Sequence, residues 1–211
     1  MATPISVLTG SDFSVGARTM LPISLAGFPE GVAFGALAAG VIGHAAPVVM
    51  SMTAFSGSAQ YATVSVLHDG GTLGAALLAA AALNVRYLAM SASVPGRSRG
   101  HRAAACLLLT DAAWGVAEGS RGRLLGAGAT DLVAWTLATI VGVIAGRALG
   151  DPAALGLDAA YPVLFVWLLR EHLGALALLG GVLALLLTPL LAPGLPILVA
   201  GLVAGAIGAA R

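Results

Sequence analysis

Three ionisable side chains, Glu30, Arg86 and Asp111, lie in stretches that are otherwise apolar. Glu30 falls within Gly27-Phe28-Pro29-Glu30-Gly31, ~12 to 14 residues from the flanking polar residues Arg18 and His44. At about 1.5 Å of helix per residue, that is near the middle of a bilayer-length run. An unpaired charge at that depth is costly, and where one occurs it commonly belongs to a solute path or a proton relay. Arg86 and Asp111 carry the same cost, so the cheapest arrangement brings the guanidinium against a carboxylate, either Asp111 or Glu30. Either pairing leaves one carboxylate over to take up and release a proton. Glu30 and Asp111 are thus the candidate proton-coupling residues, with a purely structural ion pair as the competing reading.

Around these charges stand uncharged polar and backbone-breaking residues. Gly27, Pro29 and Gly31 make a poor recipe for a continuous helix, because proline removes a backbone donor and glycine loosens the chain. Ser56-Gly57-Ser58-Ala59-Gln60 interrupts the next apolar run in a similar way. Two interrupted spans side by side are a sequence sign of a transporter site, in which unwound backbone offers N–H and C=O groups to a zwitterion. The candidate substrate-binding residues are then Gly27, Pro29 and Gly31 from the first run and Ser56, Gly57, Ser58 and Gln60 from the second. Asn84 and Arg86 join them from the third, and Phe34, Phe55 and Tyr61 are candidates for an apolar pocket. The plainer alternative is that the serines bond back to helix carbonyls and that Gln60 and Asn84 hold helices together. Asp158 reads as a helix-start residue at the membrane surface.

The elements that must position these residues follow from composition. Hydrophobic residues make up 59% and charged residues 9% of the 211, against about 25% charged in soluble domains. Mean hydropathy is +0.98, and every one of the ten cations is arginine. The chain reads as an all-α, polytopic integral membrane protein in the lipid bilayer of the cell membrane. A net charge of +1 gives no basic face for nucleic acid. The single Cys106 excludes an internal disulfide and a cysteine cluster. His44, His68, His101 and His172 form no ligand pair, so neither metal nor cofactor is expected. No Ser-His or paired-Asp arrangement suggests an enzyme. The first twelve residues lack signal-peptide features and read as a short tail.

Charges and turn residues punctuate the chain into apolar segments at about 17–43, 47–67, 72–95, 103–119, 130–147, 154–169, 173–191 and 195–210. Eight spans are favoured and seven are possible, in one domain covering 1–211, with helices 1 and 2 broken. The basic loop Arg97-Ser98-Arg99-Gly100-His101-Arg102 is expected on the cytoplasmic side. Weak matches suggest pseudo-repeats at 17–95 and 103–170; three spans per unit would make the repeat inverted. Small residues recur every fourth position in Gly27, Gly31, Gly35 and in Gly142, Gly146, Gly150, which on a helix allows close backbone approach. That points to a tight bundle or a homo-oligomer.

Read together, these motifs resemble the AzlC family. The resemblance is carried by Leu21-Pro22-Ile23 through Pro29-Glu30-Gly31-Val32-Ala33-Phe34-Gly35, by Phe55-Ser56-Gly57-Ser58-Ala59-Gln60-Tyr61, and by Leu83-Asn84-Val85-Arg86-Tyr87. Leu109-Thr110-Asp111 and the stretch from Gly156-Leu157-Asp158 to Pro162-Val163-Leu164-Phe165 complete it, over roughly residues 17 to 190. The resemblance implies a permease that exports branched-chain or other small apolar amino acids, driven by protons, with a small AzlD-type membrane partner. It departs from the family pattern at Tyr87, where His is common, at Ala112, where Glu is common, and at Glu30, in a slot usually apolar. A non-transporting scaffold subunit and a channel are the alternatives.

Overall fold

The structure, a computed structural model, describes residues 10–92, 94, 105–149, 174–191 and 195–209. The basic loop at 97–102 and the sixth segment, with Asp158 and Pro162, lie outside the described residues. Among the described residues the chain is all-helical. The helices are α1 (Gly10–Ile42), α2 (Ala45–Thr53), α3 (Gly57–His68), α4 (Leu73–Asn84), α5 (Arg86–Ala92), α6 (Asp111–Ala117), α7 (Arg121–Leu149), α8 (Ala175–Leu187) and α9 (Leu195–Ala209).

Two of these, over Asp12–Ile42 and Arg121–Gly146, are long and apolar enough to cross a membrane; Leu73–Asn84 and Ala175–Leu187 are shorter apolar helices. α1 corrects the expectation of a broken first span: it runs unbroken through Pro22 and Pro29. Gly27, Pro29 and Gly31 therefore do not open a wall of unwound backbone. Each proline removes one N–H from the ladder, but the rest of the ladder stays internal, as an apolar environment demands. Packing along α7 then outweighs the weak local propensity. The helix also starts earlier than expected, at Gly10, so part of the presumed tail is helical.

α1 lies along α7, and the contacts advance in step. Asp12 meets Gly122, Ser24 meets Asp131, Gly35 meets Thr139 and Ala36 meets Gly146. The two long helices are therefore parallel. Small residues make the approach possible: a Cβ on Gly142 would collide with the Val32 carbonyl, and one on Gly35 with that of Thr139. Such close passage is how helices associate where lipid removes the hydrophobic drive. Gly27 and Gly40 meet nothing within 4 Å, so they do not share this duty.

α7 also begins earlier than the sequence suggested. Arg121 and Arg123 sit in its first turn rather than in a loop. The Ser120 hydroxyl accepts from the Arg123 N–H and donates to Asp12, which satisfies a helix-start donor and ties the two N-termini together. The turn before it is tight: Glu118 adopts φ +46 and Gly119 φ +77.

The second apolar segment is interrupted as expected, between α2 and α3 at Ala54–Ser56. The third is also interrupted, at Val85 between α4 and α5, and α6 begins only at Asp111 after a non-helical Leu109-Thr110. Among the described residues the buried core forms three clusters: one includes Met20, Ala105, Leu109, Ala113 and Leu124, another Phe34, Ala38 and Val64, and the third Val66, Ala76 and Ala79.

Candidate functional site

The three interruptions meet one another. Ser56 stands at the N-cap of α3 in an extended conformation, yet its hydroxyl does not cap that helix. It donates instead to Asn84 Oδ1 at 2.8 Å, joining the second span's break to the third's. The first turn of α3 is thus left without a side-chain cap, and a helix's first N–H groups need a partner from outside the helix.

Arg86 sits directly across this turn. Its Nε and Nη2 donate to Asp111 Oδ1 and Oδ2 at 3.0 and 2.8 Å, a fork that matches a carboxylate in two places. The same Nη2 donates to Ser58 Oγ at 3.0 Å, and Nη1 donates to the Leu83 carbonyl at 3.1 Å. The last bond satisfies a carbonyl at the interruption itself. One guanidinium therefore links the breaks of the second, third and fourth apolar segments. The pair remains open on one side, with side-chain exposures of 38% for Arg86 and 58% for Asp111. The pairing of Arg86 with Asp111, rather than with Glu30, resolves the choice the sequence left open.

A second network lies behind the first. Gln60 is fully buried. Its Oε1 accepts from Trp135 Nε1 at 2.8 Å and its Nε2 donates to Ser51 Oγ at 3.2 Å. Ser51 and Thr139 share a further bond at 2.9 Å. The Gln60 amide is thus held by α2 and α7. Trp135 stacks on Phe34 with centroids 6.0 Å apart, and Phe34 meets Tyr61 edge-on at 5.3 Å. A Cβ on Gly57 would stand 3.1 Å from the Trp135 ring, so the indole backs the uncapped turn of α3.

Glu30 lies half-buried on α1, away from the Arg86 fork, and its backbone carbonyl accepts from Tyr61 Oη at 2.9 Å. The structure therefore brings together Ser56, Gly57, Ser58, Asn84, Arg86 and Asp111. Gln60 stands behind them, and Gly27 and Pro29 lie outside the cluster. Gly31 packs against Trp135 and Ala138.

Sequence reasoning missed Ser51, Trp135 and Thr139, which look like packing residues until Gln60 is placed beside them. It also missed Asp131 and Ser24. Asp131 Oδ1 accepts from Ser24 Oγ at 3.0 Å and Oδ2 from Thr110 Oγ1 at 3.1 Å. A fifth segment starting near 130 puts Asp131 at its boundary; the observed start at Arg121 puts it ten residues inside.

The family model described as "AzlC protein" matches residues 22–149, well over half of the chain. The match ends before the Gly156–Phe165 stretch. No curated protein matches, and no solved structure does.

Proposed function

This chain belongs to the AzlC family, and we propose that it is a multi-pass carrier exporting branched-chain or other small apolar amino acids across the cell membrane. Membership itself supports a membrane protein with a role in transport. The carrier reading goes further, and one observation supports it above the rest: the Arg86 guanidinium at the junction of three interrupted spans, facing the uncapped start of α3.

An amino acid offers a carboxylate, an ammonium and a side chain. The carboxylate suits Arg86 together with the free N–H groups at Gly57 and Ser58, since a helix start and a guanidinium both favour an anion. Asp111 is then the resident anion that the cargo's carboxylate displaces. Released from Arg86, it becomes available to the cargo's ammonium or to a proton. Glu30 and Asp111 remain the sequence's candidates for the coupled proton. The aromatic trio Phe34, Tyr61 and Trp135 backs this region with apolar surface. In this reading the segments between α1 and α7 and those that follow α7 complete a bundle of seven or eight spans, and a small AzlD-type subunit assembles with it.

Counterflow in liposomes tests the reading. Purified chain, with and without the small subunit, should accumulate labelled leucine against an internal pool of unlabelled leucine, and Arg86→Ala should abolish this. Leucine flux without counterflow would indicate a channel, and no flux in either preparation would overturn the carrier reading. The second reading, a non-transporting scaffold, draws on the buried Gln60 amide, which serves the protein's own helices. Counterflow by the chain alone excludes it.

A further inference from the structure

Asp131 is a carboxylate with no part in the site described above. It lies within one helical turn of the midpoint of the Arg121–Gly146 span. Its two oxygens each accept from a neutral hydroxyl, Ser24 on α1 and Thr110 ahead of α6. Among the described residues no cation pairs with it: the ion pairs there are His68–Asp69, Arg86–Asp111 and Arg123–Glu118. That contrast separates the two aspartates. A proton arriving at Asp111 must break a bidentate ion pair, whereas a proton arriving at Asp131 removes an uncompensated charge from the interior.

Thr110 connects the two. Its hydroxyl donates to Asp131 Oδ2 while accepting from the Ala113 N–H, capping the helix whose first residue is Asp111. We propose that Asp131 is the residue that takes up and releases the coupled proton, and that Thr110 relays its state to the Arg86–Asp111 pair. The step balances simply. A water-borne proton adds to one Asp131 oxygen, and the resulting acid O–H must donate to an oxygen it formerly accepted from. If that oxygen is Thr110 Oγ1, the threonine's own proton is freed from Asp131 and must rotate to another acceptor, which shifts the hydroxyl that caps α6. Loss of the proton restores the original directions. A change of charge in the α1–α7 seam is thereby felt beside the fork that holds the cargo's carboxylate.

The charged and titratable groups around Asp131 are few. α1 presents Glu30 at mid-helix, with Asp12 and Arg18 toward its start. α6 presents Asp111, compensated by Arg86 of α5. α2 carries no titratable residue; α3 carries Tyr61 and His68, and α7 itself bears Arg121 and Arg123 a turn or more below. Glu30 is thus the one other uncompensated carboxylate at comparable depth among the described residues, and the experiment must separate the two.

The transport role rests on the carrier reading above; protonation of Asp131 does not. Infrared difference spectra of the purified full-length chain, taken on acidification, should show the high-frequency carbonyl band of a shielded carboxylic acid. The band should persist in Glu30→Gln and Asp111→Asn, vanish in Asp131→Asn, and return displaced in Asp131→Glu, which keeps a titratable group. In liposomes, Asp131→Asn should lose leucine movement driven by a pH gradient, and Thr110→Val should lose that coupling while keeping the band. A band unaffected by Asp131→Asn, absent from the wild-type chain, or lost only in Glu30→Gln overturns the assignment. Gradient-driven movement surviving in Asp131→Asn overturns the coupling role even if the band is lost. A wild-type chain that moves no leucine at all defeats the carrier reading, while the band still reports on Asp131.

Discussion

Four of the five N–H groups of the Arg86 guanidinium are committed: two to Asp111, one to Ser58 and one to the Leu83 carbonyl. Removing it strands Asp111. Because the pair is half-exposed, Arg86→Ala should cost about 1–3 kcal/mol, between the values for surface and buried pairs. Asp111→Ala in the same chain should recover part of that loss, and a double-mutant cycle on thermal unfolding in detergent measures the difference. Arg86→Lys should restore stability better than transport, since an ammonium cannot reproduce the two-point fork. Gln60 makes the complementary case. Trp135→Phe keeps the ring but removes the donor to Gln60 Oε1, leaving a buried acceptor without its partner. The expected loss is about 1–3 kcal/mol, seen as a lower unfolding midpoint at unchanged helix content. These partnerships differed in how readable they were. The Arg86–Asp111 pair was legible because two opposite charges in apolar sequence have few affordable arrangements. The Gln60–Trp135 bond was not, because indole and amide residues occur in ordinary packing as often as in networks.

At the scale of elements, the seam between α1 and α7 rests on positions where a methyl group does not fit. Gly142→Val and Gly35→Val should each separate the helices, lowering the yield of folded protein in detergent size-exclusion chromatography. Gly40→Ala, at a position open within 4 Å, should stabilise by about 0.5–1 kcal/mol through helix propensity alone. The glycine rows in the sequence foretold the seam but not which of their members serve it: Gly31 and Gly35 do, whereas Gly27 does not. The interruptions were legible in part. The second span's break follows from Ser56-Gly57, where neighbouring polar side chains compete for the backbone. The third span's break carries neither glycine nor proline at Asn84-Val85-Arg86. It depends on Ser56 reaching in to Asn84 and on Arg86 reaching out to Ser58 and Asp111, partners on other elements that local sequence does not encode. The expected break in α1 failed for the opposite reason: Pro29 is a strong local signal that a long packed helix absorbs.

For the whole molecule, the parallel course of α1 and α7 constrains topology. In the multi-pass carrier proposed above, both helices start on one side of the membrane, because the Ser120–Asp12 bond joins their N-termini. The chain between Ile42 and Arg121 must then cross back an odd number of times. Three interrupted crossings, the second, third and fourth segments, satisfy that count. In a Cys106→Ser background, single cysteines at Ser14 and Gly119 should react with a membrane-impermeant thiol reagent from the same face, and one at His44 from the other. Reaction of the first two from opposite faces would show that the helices do not cross as a parallel pair.

That seam also sets a timetable. Ser24 and Asp131 are 107 residues apart in the chain, and at ribosomal speeds of about 5–20 residues per second the second arrives roughly 5–20 s after the first. Throughout that interval the glycine-lined face of α1, with Ser24, Gly31 and Gly35 upon it, has been made but its permanent neighbour has not. The protein's assembly is therefore most exposed to failure in the pause between its first long helix and its second.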